Sequence, residues 1–249
     1  MTSVDLGKLE LRYECVKDAK TGATTILQVL MTGPGGDEPP HAWTNRVWSA
    51  SNGHGAVDLH VLKLACTQLR AWHHEGLEMP LCVPVSLESL NQRGAAERWL
   101  YAMSESGVSP RLIDFGVTPV SGQRGETVTS NVAQLANAGA RFSLLGFGIG
   151  YSSLATLKLL AVSRLEICEE NVRDLQSDDD GAMIARSTLM MAKNLGHRTC
   201  VAGVDSLGVA KKVADLDADE FRGPWSSQPL TAEQVQAQGA LKAMDARRH

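Results

Sequence analysis

The residues that first invite a chemical reading are glycines. Gly146-Phe147-Gly148-Ile149-Gly150-Tyr151-Ser152-Ser153 places three glycines on alternate positions, after an apolar run and before a helix-forming one. Such a turn could cradle a phosphate on free backbone N–H groups. The spacing is not G-x-G-x-x-G and no Gly-Lys-Ser/Thr follows, so a dinucleotide site is not expected. The simpler reading is a tight strand-to-helix turn capped by serine. His73 and His74 are adjacent, so on a helix they point about 100° apart and make poor joint ligands. His60 and His197 have no local carboxylate pair, and neither H-E-x-x-H nor G-x-S-x-G occurs. Asp178-Asp179-Asp180 reads as a solvated loop whose charges favour the start of the following helix. The five cysteines, Cys15, Cys66, Cys82, Cys168 and Cys200, include no C-x-x-C pair and read as small core residues of a reducing compartment.

The elements that must position these residues alternate along the chain. Periodicity predicts strands at 9–13 and 24–31 with a hairpin turn near Thr21-Gly22, a loop over 33–40, and a helix over 56–72. Then come strand 81–85, helix 94–106, strand 112–117, helix 127–138, strand 141–145, helix 152–160, strand 165–168, helix 181–195, strand 199–204 and helix 206–216. Thr231 with Gln234 three residues on has capping-box spacing and opens a C-terminal helix over about 231–246. Repeated strand–helix units over 249 residues predict an α/β fold, a modified (β/α)8 barrel, with one strand antiparallel because no helix separates the first two. A single domain over 1–249 with its core at about 9–240 is expected. A net charge of −4 without a long basic run argues against a dedicated nucleic-acid binder. No apolar run reaches the ~20 residues of a membrane span, and no signal peptide is visible, so a cytoplasmic location is expected.

The glycine turn fits another pattern. Phe147-Gly148-Ile149-Gly150-Tyr151-Ser152-Ser153-Leu154 resembles the D-D-F-G-T-G-Y-S-S-L signature of the EAL-type cyclic-di-GMP phosphodiesterases. Other landmarks follow in order. Tyr13-Glu14-Cys15 stands for Y-Q-P, Leu27-Gln28-Val29-Leu30 for E-A-L, Val83-Pro84-Val85-Ser86 for V-N-x-S, and Gly116-Val117-Thr118-Pro119 for E-x-T-E. Leu165-Glu166-Ile167-Cys168 stands for L-K-I-D, Val201-Ala202-Gly203-Val204-Asp205 for A-E-G-V-E, and Arg222-Gly223-Pro224-Trp225 with Pro229-Leu230 for Q-G-Y and the P-L after it. The resemblance spans roughly 9–240 and implies a barrel with an antiparallel strand.

The departures carry the functional expectation. Active members of the family hold a pair of Mg²⁺ or Mn²⁺ ions on acidic and amide oxygens at the barrel mouth, and the ions activate the attacking water. At the matched positions this chain has Gln28, Pro84, Gly116, Leu145, Gly146, Glu166, Ala202 and Arg222, with Pro119 and Cys168 also lacking the family's acids. These are vestigial positions: no catalytic residue, metal or cofactor is expected. The resemblance then implies an inactive, stand-alone EAL-like protein acting in bacterial signalling or regulation through a protein partner, a transcriptional or signalling regulator. The glycine turn contributes to pairing of barrels in the family, which allows a homodimer. The alternative is a non-catalytic cyclic-di-GMP receptor, with Trp43, Trp48 or Trp225 stacking on guanine, although Glu166 puts negative charge where phosphates would sit and binding is not expected. Arg222 and Arg46 are read as surface charges. A different enzyme in the same barrel would need converging acid and base groups, which the sequence does not display.

Overall fold

The structure is a computed structural model and describes residues 6–33, 47–48, 54–118, 125–147, 156–157, 160–167 and 180–246. Eight strands close into one barrel in sequence order. They are β1 (Glu10–Asp18), β2 (Thr24–Thr32), β3 (Leu81–Ser86), β4 (Ile113–Thr118), β5 (Arg141–Phe147), β6 (Arg164–Ile167), β7 (Arg198–Val201) and β8 (Glu220–Phe221). β1 is antiparallel to both of its neighbours, β2 and β8. Every other adjacent pair is parallel. The expected α/β barrel with one reversed strand is what the chain forms. The reversal follows from the short link between β1 and β2, which leaves no room for a crossover helix. Asp18 fixes that link: its Oδ1 accepts from the backbone N–H groups of Lys20 and Thr21 and from the Thr21 hydroxyl, at 2.8–3.1 Å, and Gly22 supplies the positive φ of 69°.

The helices are α1 (His54–His74), α2 (Leu87–Leu90), α3 (Ala95–Glu105), α4 (Glu126–Asn137), α5 (Asp180–Asn194), α6 (Leu207–Asp215) and α7 (Ala232–Ala246). α7 opens with the predicted capping box: Gln234 Oε1 accepts from Thr231 N–H at 2.8 Å and Thr231 Oγ1 from Gln234 N–H at 3.3 Å. The main core lies between the barrel wall and the helices, where the rings of Trp99, Phe115 and Phe142 stack in sequence with centroids 4.9 and 5.6 Å apart. A second, small apolar cluster fills the barrel lumen: Val16, Ile26, Cys82, Leu145 and Cys200. Alternation along each strand sends one set of side chains to each place.

Three expectations need correction. The first strand is longer than 9–13, because its polar residues Glu14, Lys17 and Asp18 hide the period. The eighth strand was missed, since two residues carry no pattern and only tertiary pairing closes the ring there. α2 was missed too: it is a single turn set by Ser86, whose side chain accepts from Ser89 N–H. Most of the predicted helix over 152–160, Gly148 to Leu154 of the glycine turn, Cys168, Asp178 and Asp179 lie outside the described residues.

Candidate functional site

The C-terminal ends of the parallel strands form the barrel mouth, where this architecture places its chemistry. Six of the eight vestigial residues are buried or half-buried on five strands, β2 to β6 (Gln28, Pro84, Gly116, Leu145, Gly146 and Glu166), and Arg222, half-buried, immediately follows β8. Ala202, the eighth, is buried immediately after β7. The fold therefore brings together residues spread over almost 200 positions. Pro84 stands beside Gly116 in the β3–β4 ladder. The β2–β3 ladder ends two residues earlier, at Gln28–Cys82, so a residue without an N–H is tolerated there.

The centre of the mouth is an ion triplet. Arg222 donates from Nε and Nη2 to the two carboxylate oxygens of Glu166, at 2.7 and 2.8 Å, and from Nη1 to Glu14 Oε2 at 2.8 Å. Glu166 is 2% and Glu14 6% exposed, so the guanidinium compensates two buried charges. Burial works against the positive charge, yet Glu166 and then Glu14 raise the Arg222 pKa well above the ordinary guanidinium value. Arg222 is thus not the surface charge that was expected; it is the hub of the site. No sequence signal announced the pairing, since Arg222 lies 56 positions from Glu166 and 208 from Glu14.

Beside the triplet the lumen is plugged. A Cβ on Gly116 would lie 2.7 Å from Leu145 Cδ1 and 2.8 Å from Cys82 Sγ, closer than carbon and sulfur can pack. Leu145 occupies the space a side chain at 116 would need. Burial pushes the thiols of Cys82 and Cys200 well up in pKa, so both are neutral packing groups. The buried amide of Gln28 donates weakly to the carbonyls of Val29 and Cys82, at 3.3 and 3.4 Å, and its Oε1 has no hydrogen-bond partner.

This donor set does not fit a pair of divalent cations. Hard cations need several anionic oxygens. Among the described residues of the eight matched positions and their partners, the mouth offers two carboxylates committed to a guanidinium and one neutral amide oxygen. Among the described residues no cluster of three or more His, Cys, Asp or Glu is placed to hold a metal ion.

The remaining candidates take structural roles. Trp48 is not available for stacking: it is buried, and its Nε1 donates to Asp58 Oδ1 at 2.9 Å. Trp225 is 47% exposed. His197 Nδ1 lies 2.9 Å from Val162 O, and His73 pairs with Glu78 at the surface. Cys15, Cys66, Cys82 and Cys200 are buried free thiols. Trp43 and Arg46 lie outside the described residues.

The comparisons with known proteins match this architecture. The EAL domain profile covers residues 1–229. The chain is 23% identical over 228 residues to the signaling protein YkoW of Bacillus subtilis, covering 90% of this chain and 28% of YkoW. It is 27% identical over 179 residues to the bifunctional diguanylate cyclase/cyclic di-GMP phosphodiesterase MucR of Pseudomonas aeruginosa, covering 71% of this chain and 26% of MucR. The chain thus spans about a quarter of the length of these relatives. Among solved structures, the EAL domain of Mycobacterium smegmatis DcpA superposes with a TM-score of 0.79 at 26% identity, over 93% of this chain and 97% of that one. Among the described residues no helix is long and apolar enough to cross a membrane.

Proposed function

The chain belongs to the EAL domain family, and we propose that it is a degenerate member, a bacterial signalling or regulatory protein that does not hydrolyse cyclic-di-GMP and acts by contact with a protein partner. The observation that carries this reading is the Arg222 triplet with Glu166 and Glu14. A guanidinium at the centre of the mouth puts a fixed cation where metal ions would need open anionic ligands, and it ties up the two carboxylates that could otherwise serve as ligand or base there. The chain's own residues bind one another there. The triplet carries two negative charges against one positive, a net of −1, which also disfavours a dinucleotide's phosphates and so the alternative reading as a receptor.

A protein-contact role fits the surface. Met183 and Met190 stand seven residues apart on α5 and are 61% and 66% exposed, with Leu195 beyond the helix end at 54%. Exposed Met side chains adapt to partner surfaces. A cytoplasmic location and pairing of this barrel into a homodimer are part of the same proposal. The test is incubation of purified protein with cyclic-di-GMP and Mn²⁺ or Mg²⁺, read by chromatography, alongside calorimetric titration with the dinucleotide. No product and no saturable heat are expected. Metal-dependent turnover overturns the reading, and saturable binding without turnover moves it to the receptor.

A further inference from the structure

The opposite end of the barrel carries a feature that the mouth does not explain. The first residues of three successive strands are arginines: Arg141 of β5, Arg164 of β6 and Arg198 of β7. They line a cavity of about 230 Å³ at the barrel floor, together with Asp114 and Glu220. Arg164 is 4% exposed. Its Nε donates to Ser143 Oγ at 3.0 Å, and that hydroxyl lies 2.8 and 2.7 Å from the two Asp114 oxygens. The chain of bonds holds the guanidinium in one orientation, yet neither Nη1 nor Nη2 has a hydrogen-bond partner. Glu220 Oε2 stands 3.6 Å from Nη1, an ion pair without a hydrogen bond. At the rim, Arg198 is half-exposed and pairs with Glu220 Oε1 at 3.0 Å. Arg141 is exposed and makes no ion pair among the described residues.

We propose that this floor is a binding site for a small phosphate-type oxyanion, with Arg164 as the fixed charge at the inner wall and Arg141 and Arg198 as the mobile donors at the rim. Three guanidinium groups meet Asp114, Glu220 and, 3.8 Å from Arg198, Asp18, so what an anion would satisfy is the pair of buried Arg164 Nη groups that lack hydrogen-bond acceptors. Arginine suits the task because its planar fork presents paired donors to tetrahedral or planar oxyanions. A buried guanidinium with two idle nitrogens is also rare, because buried donors ordinarily find acceptors. An oxyanion brings several acceptors at once, and a rotation of the half-exposed Arg198 opens the way to Arg164. The cavity has room for a phosphate monoester as well as for inorganic phosphate.

The experiment is calorimetric titration of the full chain at fixed ionic strength with inorganic phosphate and with glycerol 3-phosphate, against chloride as reference. Saturable binding of phosphate or of the ester is expected, and the tighter of the two identifies the source of the anion. Removing Arg164 would leave Asp114 and Glu220 without their buried cation and endanger folding, so the deciding variants are Arg141→Gln and Arg198→Gln. Each should weaken binding by about tenfold, the scale of one lost charge-assisted hydrogen bond. Arg70→Gln, an exposed arginine of α1, should change nothing. Absence of saturable binding beyond chloride, or affinity in both rim variants equal to that of the parent protein, overturns the proposal. The readout is binding at the floor, so its failure leaves the reading of the mouth untouched.

Discussion

At the scale of single residues, the mouth shows how reversed charges become structure. Glu166 and Arg222 each read in the sequence as a lost family residue, and both losses were legible. Their mutual compensation was not, because complementary charges far apart in sequence carry no mark of meeting. Breaking the triplet tests its role. Arg222→Gln removes the guanidinium that both buried carboxylates share, and the expected loss is about 3–5 kcal/mol in urea unfolding. The double variant Arg222→Gln/Glu166→Gln should lose less than Arg222→Gln alone, because one stranded charge goes with it. Equal losses would mean that the ion pairs contribute little. Gly116 and Leu145 form a second coupled pair. Gly116→Ala forces a contact of 2.7 Å with Leu145 and should cost about 1–3 kcal/mol. In a Leu145→Ala background the same substitution should cost less, because only the 2.8 Å contact with Cys82 Sγ remains, with a coupling of roughly 0.5–3 kcal/mol in the double-mutant cycle.

At the scale of elements, what the sequence displayed was whatever period and capping could encode. The parallel strands after β2 stand out as short apolar runs, because both of their faces are covered. The capping box at Thr231 was legible for the same reason: local chemistry recurs at fixed spacing. β8 and α2 were not, since a two-residue strand and a single-turn helix exist only through their neighbours. Asp58 shows how such elements are tied. From α1 it accepts from Ser86 N–H at 2.7 Å, from Ser86 Oγ at 2.9 Å and from Trp48 Nε1 at 2.9 Å, so it fixes the end of β3 and the start of α2. Asp58→Ala strands three buried donors and should cost about 2–4 kcal/mol in chemical unfolding. A loss below that range would mean that water replaces the carboxylate. The β1–β2 turn gives a pH signature instead. Backbone and hydroxyl hydrogen bonds from Thr21 hold the Asp18 carboxyl below its usual range. A depressed folded pKa contributes stability above the unfolded pKa and loses it as pH falls through the folded one. Asp18→Asn should therefore be less stable than the parent at pH 7, and the difference should vanish under strongly acidic conditions. A difference independent of pH would locate the effect in shape rather than charge.

At the scale of the whole molecule, the lumen is a stack of three layers: the Arg222 triplet above, an apolar plug in the middle, and the Arg164–Ser143–Asp114 network below. Charged side chains at both ends pair across strands, so the barrel holds its shape at the mouth through side chains that a metal site would keep free. This layering determines what reversion can achieve. Gln28→Glu alone adds one carboxylate to a site whose cation is already the guanidinium, and the new charge has no open partner. Neither Mn²⁺ affinity by calorimetry nor turnover is expected from that variant. Gly116→Glu cannot fit unless Leu145 is shortened, so Leu145→Asp must accompany it. Arg222→Gln with Glu166→Lys must then clear the centre, and Pro84→Asn with Ala202→Glu must supply the remaining oxygens. Gly146, with φ of +65° and open space around its Cα, accepts Asp at modest strain, since Asp visits the left-handed region more readily than most residues. Saturable Mn²⁺ binding should emerge only when these changes are combined. Mn²⁺ binding by the Gln28→Glu protein alone would mean that open ligands already surround position 28, and that the triplet is not what occupies the mouth.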